Sequence, residues 1–232
     1  MEKNNLSNQT DRRRFLGSIT AGATTLGLAS LFQPFQANAD IPGFAPDDAD
    51  EWFKKVKGKK HSIVFDVIQP NDVFPFAWPR VFLMTNEKTG TPANDCGVVV
   101  VLRHSAIGYA LEDKLWSKYN LGEFLKADDP ETKKPSMRNP FWKPKPGAFK
   151  VPGIGEVQIG INELQSNGVM FCCCNAALTV YSAIAADAMK MKAEDVYKEW
   201  TSGVLPGIQV VPSGVWAVGR AQENGCKYCF AE

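Results

Sequence analysis

The sequence predicts an α/β fold: a three-layer α/β/α sandwich around a five-stranded, mostly parallel sheet. Three observations carry this. Five short apolar or β-branched segments recur along the chain, and each is separated from the next by enough residues for a helical crossover. One of them, residues 96–104 (CGVVVVLRH), is a continuous apolar run with no polar alternation, as suits a strand covered on both faces.

The elements follow in order. Residues 40–60 begin as Pro- and Asp-rich coil and continue into a short amphipathic stretch in which Trp52, Phe53 and Val56 share a face, which reads as an N-terminal docking arm. Residues 61–68 (HSIVFDVI) form the first strand and end at the turn signal Gln69-Pro70-Asn71-Asp72. A helix is expected over about 76–87, with Pro79 removing a backbone donor inside it. Gly90, Pro92, Asn94 and Asp95 lead into the second strand. Residues 105–119 then show helical spacing, with Leu111, Leu115 and Trp116 on one side, and 120–126 adds a turn or two.

Six prolines interleaved with lysines, Phe141, Trp142 and Phe149 occupy 128–155, and no regular element is expected there. A loop of that length is a lid, a partner surface or a mobile segment. A helix over 156–165, a strand over 169–174 (VMFCCC), helices over 176–190 and 193–201, a strand over 208–211, a helix over 215–223 and a last strand over 226–231 complete the pattern. Ser213, in Pro212-Ser213-Gly214, reads as the N-cap of the last helix.

The N-terminus has a different character. Arg12, Arg13, Phe15 and Leu16 precede a small-residue apolar stretch and then Ala37-Asn38-Ala39, the layout of a signal peptide cleaved after Ala39. The four residues resemble the twin-arginine (Tat) motif, with Asp11 and Gly17 where that motif favours other types. The expectation is therefore export through the Tat translocase and a periplasmic mature protein. Its domains would be a signal peptide at 1–39, an arm at 40–60 and one α/β domain at 61–232.

The 232-residue chain carries a formal net charge of +1, and residues beyond 39 hold 22 basic against 23 acidic groups. A near-neutral body has no electrostatic footprint for nucleic acid. At 193 residues, that body buries roughly 70% of its unfolded surface and needs no staple.

In a parallel sheet, ligands gather at the carboxyl ends of the strands. That edge receives Gln69, Asn71 and Asp72 from strand one, Arg103 and His104 from strand two, Cys174 and Asn175 from strand three, and Ser213 from strand four. Cys174, at a strand-to-helix junction, is the candidate nucleophile. Helix N–H groups and a nearby Arg103 or His104 would stabilise its thiolate, and Asn71, Asn175 and Ser213 are candidate substrate contacts.

The alternative is that Cys172, Cys173 and Cys174 are core residues, with Cys172 and Cys174 on one face and Cys173 on the other. His61, Cys96 and Cys226 fall at the opposite edge, where a Cys96–Cys226 disulfide is geometrically open. Cys226 and Cys229, on an extended strand, lie beyond disulfide reach. With two histidines, no complete metal-ligand set is visible, and no phosphate-binding loop appears, so neither metal nor cofactor is expected.

The stretches GVMFCCCNAAL and GIQVVPSGVWAVGRAQENGCKYC, with the spacing of the five strands, resemble the DsrE-like family over roughly residues 61–231. Val211–Val215 resembles the turn before that family's last helix, and Cys174 to Leu178 its cysteine-bearing strand end. The resemblance implies a parallel three-layer sandwich, a homo-oligomer, and a persulfide carried on the cysteine matching Cys174. Partners would be small sulfur species or a protein thiol. The proline loop and the export signal depart from the compact cytoplasmic members. Two other readings remain: a non-catalytic assembly module presenting Phe141, Trp142 and Phe149 to a partner, and a metal-binding protein.

Overall fold

The structure, a computed structural model, describes residues 46–151 and 153–231; the signal-peptide residues Arg12, Arg13, Phe15 and Leu16 and the cleavage site after Ala39 lie outside them. Five parallel strands form one sheet: β1 (His61–Val67), β2 (Cys96–Leu102), β5 (Met170–Cys174), β6 (Ile208–Val211) and β7 (Lys227–Phe230), in the spatial order β6-β5-β2-β1-β7. The strands β3 (Lys150–Val151) and β4 (Gly155–Glu156) make a separate antiparallel ribbon. The central strand β2 is buried at every position, as its unbroken apolar run requires.

The helices are α1 (Pro46–Phe53), α2 (Phe74–Lys88), α3 (Asp113–Lys118), α4 (Leu121–Leu125), α5 (Ile161–Ser166), α6 (Asn175–Met189), α7 (Ala193–Ser202) and α8 (Gly214–Glu223). Their distribution follows from handedness. The chain moves across the sheet from β1 through β2 and β5 to β6, and right-handed crossovers then put every intervening helix on one face. That face packs Phe65, Val100, Leu102, Phe171 and Cys173 against Phe76, Trp116, Leu178 and Trp200. The last crossover runs back to β7 beyond β1, so α8 lands on the other face. There Ala217 and Ala221 meet Val64, Val99, Val101 and Cys172, and the arm adds Ala49, Phe53 and Val56.

Three expectations need correction. The single helix over 105–119 is instead a 3-10 segment, His104–Ala110, followed by the short α3. The backbone between them is bonded elsewhere: Leu205 N–H donates to Ala110 O at 2.8 Å, and Glu112 N–H to Gly203 O at 3.0 Å.

The Cys96–Cys226 disulfide is absent, since both thiols are free. Strand β1 pairs with β2 on one side and β7 on the other, so two strand spacings of about 4.8 Å separate the cysteines' strands, more than a disulfide spans. Cys96 also packs on one face of the sheet and Cys226 on the other.

Two of the three aromatics of the proline loop are core residues, and Trp142 is partly buried against the same core. Phe141 is fully buried and stacks on Phe76 at 4.1 Å, and Phe149 stacks on Phe141 at 5.3 Å. Prolines limit regular structure here to the short β3–β4 ribbon, and side chains anchor the rest of the segment. Asn139, fully buried, donates to the carbonyls of Tyr109 (2.8 Å) and Leu111 (2.9 Å) and accepts from Phe141 N–H at 3.2 Å.

If the loop is part of the core, Phe141→Ala should lower unfolding stability by about 3–5 kcal/mol. Asn139→Ala should cost about 1–3 kcal/mol for each carbonyl left without a donor. Urea titration followed by tryptophan fluorescence measures both, and losses below about 0.5 kcal/mol would show that the loop is only draped over the fold.

Candidate functional site at the carboxyl edge of the sheet

At the carboxyl edge β5 hands over directly to α6. Cys174, the last residue of β5, is also the N-cap of α6, with extended backbone (φ −77°, ψ 112°), and its Sγ accepts the Ala177 N–H at 3.2 Å. A sulfur at this position takes the place that a Ser or Asp oxygen fills in an ordinary cap, beside the positive end of a 15-residue helix. Cys174 packs on the same face as Cys173, not with Cys172. The expected strand alternation lapses because the chain already turns into the helix at residue 174.

The three adjacent thiols have different surroundings. Cys172 and Cys173 are fully buried, and loss of water pushes both thiols far up from their ordinary value. Cys174 retains 6% of its surface, and of the three it alone touches a helix terminus.

Arg103, the residue after β2, reaches the same edge. Its Nε and Nη2 donate to the two carboxylate oxygens of Asp66 at 2.6 and 2.9 Å, and the Tyr228 hydroxyl donates to Asp66 Oδ2 at 3.0 Å. Asp66 is almost sealed, while 26% of the Arg103 side chain remains accessible. Its guanidinium is held further toward the charged form, first by the Asp66 hydrogen bonds and then by charges that include Cys174. The stem of Arg103 lies on Gly214, where a Cβ would come within 2.5 Å of Arg103 Cβ and Cδ. Only a glycine lets the start of α8 pack this closely.

The other expected residues divide. Asn175 is buried beside Cys174, and its Oδ1 accepts the Tyr197 hydroxyl at 2.7 Å. Ser213 caps α8 by accepting Trp216 N–H at 3.3 Å, which occupies the hydroxyl as the sequence suggested. His104 is exposed, in the left-handed region (φ 49°), and its Nδ1 shares a hydrogen bond of 3.2 Å with the Tyr181 hydroxyl. Asn71 lines a separate cleft beyond the end of β1, which Cys174 does not line.

Asp66, Tyr228 and Gly214 were not singled out from the sequence. One signal was present: a carboxylate interrupting the apolar strand HSIVFDVI must find a partner if buried. No family model, curated protein or solved structure matches the chain. Its chemistry is read from its own residues. Among those described, no three His, Cys, Asp or Glu side chains gather so as to hold a metal ion, and no helix is long and apolar enough to cross a membrane.

The buried acids set a pH dependence. Burial pushes Cys226 up to about 11 and Tyr181 up to about 12. Their unfolded counterparts ionise near 8.5 and 10. Above pH 8.5 the unfolded state therefore loses protons that the native state keeps, and stability falls as pH rises. Thermal melts of the reduced protein should show a steadily falling melting temperature from about pH 8.5 to 11, partly relieved in Cys226→Ala. A flat profile would contradict these burial assignments.

Proposed function

We propose that this chain is an exported member of the DsrE-like family that carries sulfane sulfur on Cys174. The observation that carries the reading is the placement of one thiol at the helix N-terminus, on the carboxyl edge of a parallel sheet, within electrostatic reach of an arginine. Export through the Tat translocase, periplasmic residence and a homo-oligomeric state belong to the same proposal and rest on sequence.

The chemistry needs a thiolate and an anionic sulfur donor. The Cys174 thiolate attacks the terminal sulfur of a polysulfide, and an S–S bond forms as the donor's terminal S–S bond breaks. A polysulfide one sulfur shorter leaves with the electron pair and its two negative charges, and the persulfide anion keeps the third. A protein thiolate regenerates Cys174 by the reverse type of exchange. The Ala177 N–H and the start of α6 face this sulfur. Arg103 adds a cation, tempered by its pairing with Asp66. His104, turned to Tyr181, is left out of this role.

A second reading, a non-catalytic module with structural cysteines, draws on the small exposure of Cys174 and the sealing of Cys172 and Cys173. Intact-mass measurement of the reduced protein after incubation with polysulfide separates the two. The carrier gains the mass of one sulfur, removable by dithiothreitol, and Cys174→Ser does not. An equal gain in Cys174→Ser, or no gain in either protein together with resistance of Cys174 to iodoacetamide, would leave the non-catalytic reading standing.

A further inference from the structure

A cleft of about 280 Å³ opens beyond the end of β1, lined by Pro70, Asn71, Asp72, Tyr109, Lys126, Asp128, Asp129, Pro130 and Lys133. It lies where the turn after β1 meets the first part of the proline loop. Lys133 closes one wall by donating to both carboxylate oxygens of Asp72, at 3.2 and 3.0 Å. Asp129 is committed to the loop itself, accepting from Glu131 N–H, Thr132 N–H and Arg138.

Tyr109 forms the floor. Its ring is fixed in the core between Phe76 (5.2 Å), Trp116 (5.8 Å) and Phe141 (5.3 Å), and only 1% of the residue is exposed. Its hydroxyl has no hydrogen-bond partner among the described residues. The hydroxyl belongs to a residue that lines the cleft, so its donor and acceptor positions are open to a ligand there. The charges acting on this hydroxyl are those of Asp72 and Asp128, and together with burial they hold it firmly in the neutral form. Neither Asp128 nor the Asn71 side chain is engaged by a described residue. The backbone is also strained here: Asp72, Lys126 and Lys133, all lining the cleft, sit at φ 45°, 57° and 56°, a conformation that non-glycine residues hold at a cost.

We propose that this cleft binds a small organic cation bearing N–H donors, such as a primary ammonium, with its N–H groups donating to Tyr109 Oη, Asn71 Oδ1 and the Asp128 carboxylate. The three acceptors line one opening, and of its carboxylates Asp72 is paired with Lys133 and Asp129 with Arg138, which leaves Asp128 as the carboxylate for the ligand. The volume sits at the small end for ligand sites, which selects a compact amine over a nucleotide or a peptide. This site is separate from Cys174 and stands or falls without the sulfur reading.

The test is NMR titration of the full chain, labelled with ¹³C-tyrosine and ¹⁵N, with ethylammonium chloride and with putrescine. Sodium propionate and tetramethylammonium chloride, the latter a cation without N–H groups, serve as probes at matched ionic strength. Expected are saturable shifts at Tyr109, Asn71 and Asp128 with the two amines only. Asp128→Asn and Tyr109→Phe, the latter followed at Asn71 and Asp128, should each weaken binding about fivefold, the worth of one hydrogen bond. Shifts that never saturate, or that appear equally with propionate or tetramethylammonium, would each overturn the site.

Discussion

A carboxylate inside a parallel sheet must be neutralised or paired, and Asp66 is paired by Arg103 in a two-point contact. Removing one partner of such a pair leaves an uncompensated charge in a nearly dry place, a loss of about 3–5 kcal/mol. The pair therefore constrains everything near it. Asp66 comes from β1, Arg103 follows β2, and Tyr228, which also donates to Asp66, belongs to β7. Three adjacent strands are thus joined by side chains as well as by the backbone ladder. Gly214 completes the arrangement by letting α8 press against the arginine stem. Without the pair, nothing obliges the guanidinium to lie near the β5–α6 junction.

That location coincides with the place where the strand order reverses. Every crossover from β1 to β6 runs one way across the sheet, and only the last returns to the far side of β1. In open α/β sheets the loops diverge at such a reversal and leave a crevice. The Asp66–Arg103–Tyr228 group lies there, and Cys174 lies one strand beyond β2. Two helix starts, those of α6 and α8, border the same edge, each capped by a side chain: Cys174 for the first and Ser213 for the second. The difference between the caps is chemical, because the oxygen of Ser213 remains a neutral hydroxyl whereas a sulfur can become a thiolate in the same geometry.

Much of the architecture was legible in advance for plain reasons. Apolar runs of strand length bounded by turn residues marked the five strands, and the spacing between them left room only for crossovers. Ser213 was readable as a cap because a serine before a helical pattern has one strong local use. The helix over 105–119 was misread because its 3.6-residue spacing is real, while the competing bonds from residues 203–205 are invisible locally. The burial of the proline loop was hidden for the opposite reason. Prolines suppress regular hydrogen bonding, but they do not prevent Phe141 and Asn139 from filling a core.

The candidate site was legible in part. Cys174 followed from strand-to-helix phasing, and Arg103 from strand-end placement, yet Asp66 and Tyr228 are separated by 162 residues and meet only because β7 pairs with β1. By itself, the sequence determined the layered α/β class, the sheet edge that receives Arg103, Cys174 and Ser213 and the identity of the thiol at the helix start, because these depend on local periodicity and capping. Only the tertiary structure decided the strand order, the burial of the proline loop, the separation of Cys96 from Cys226, and the pairing of Arg103 with Asp66 while His104 turns to Tyr181. Those outcomes depend on which distant strands lie side by side, and chain crossing and side-chain packing set that in three dimensions.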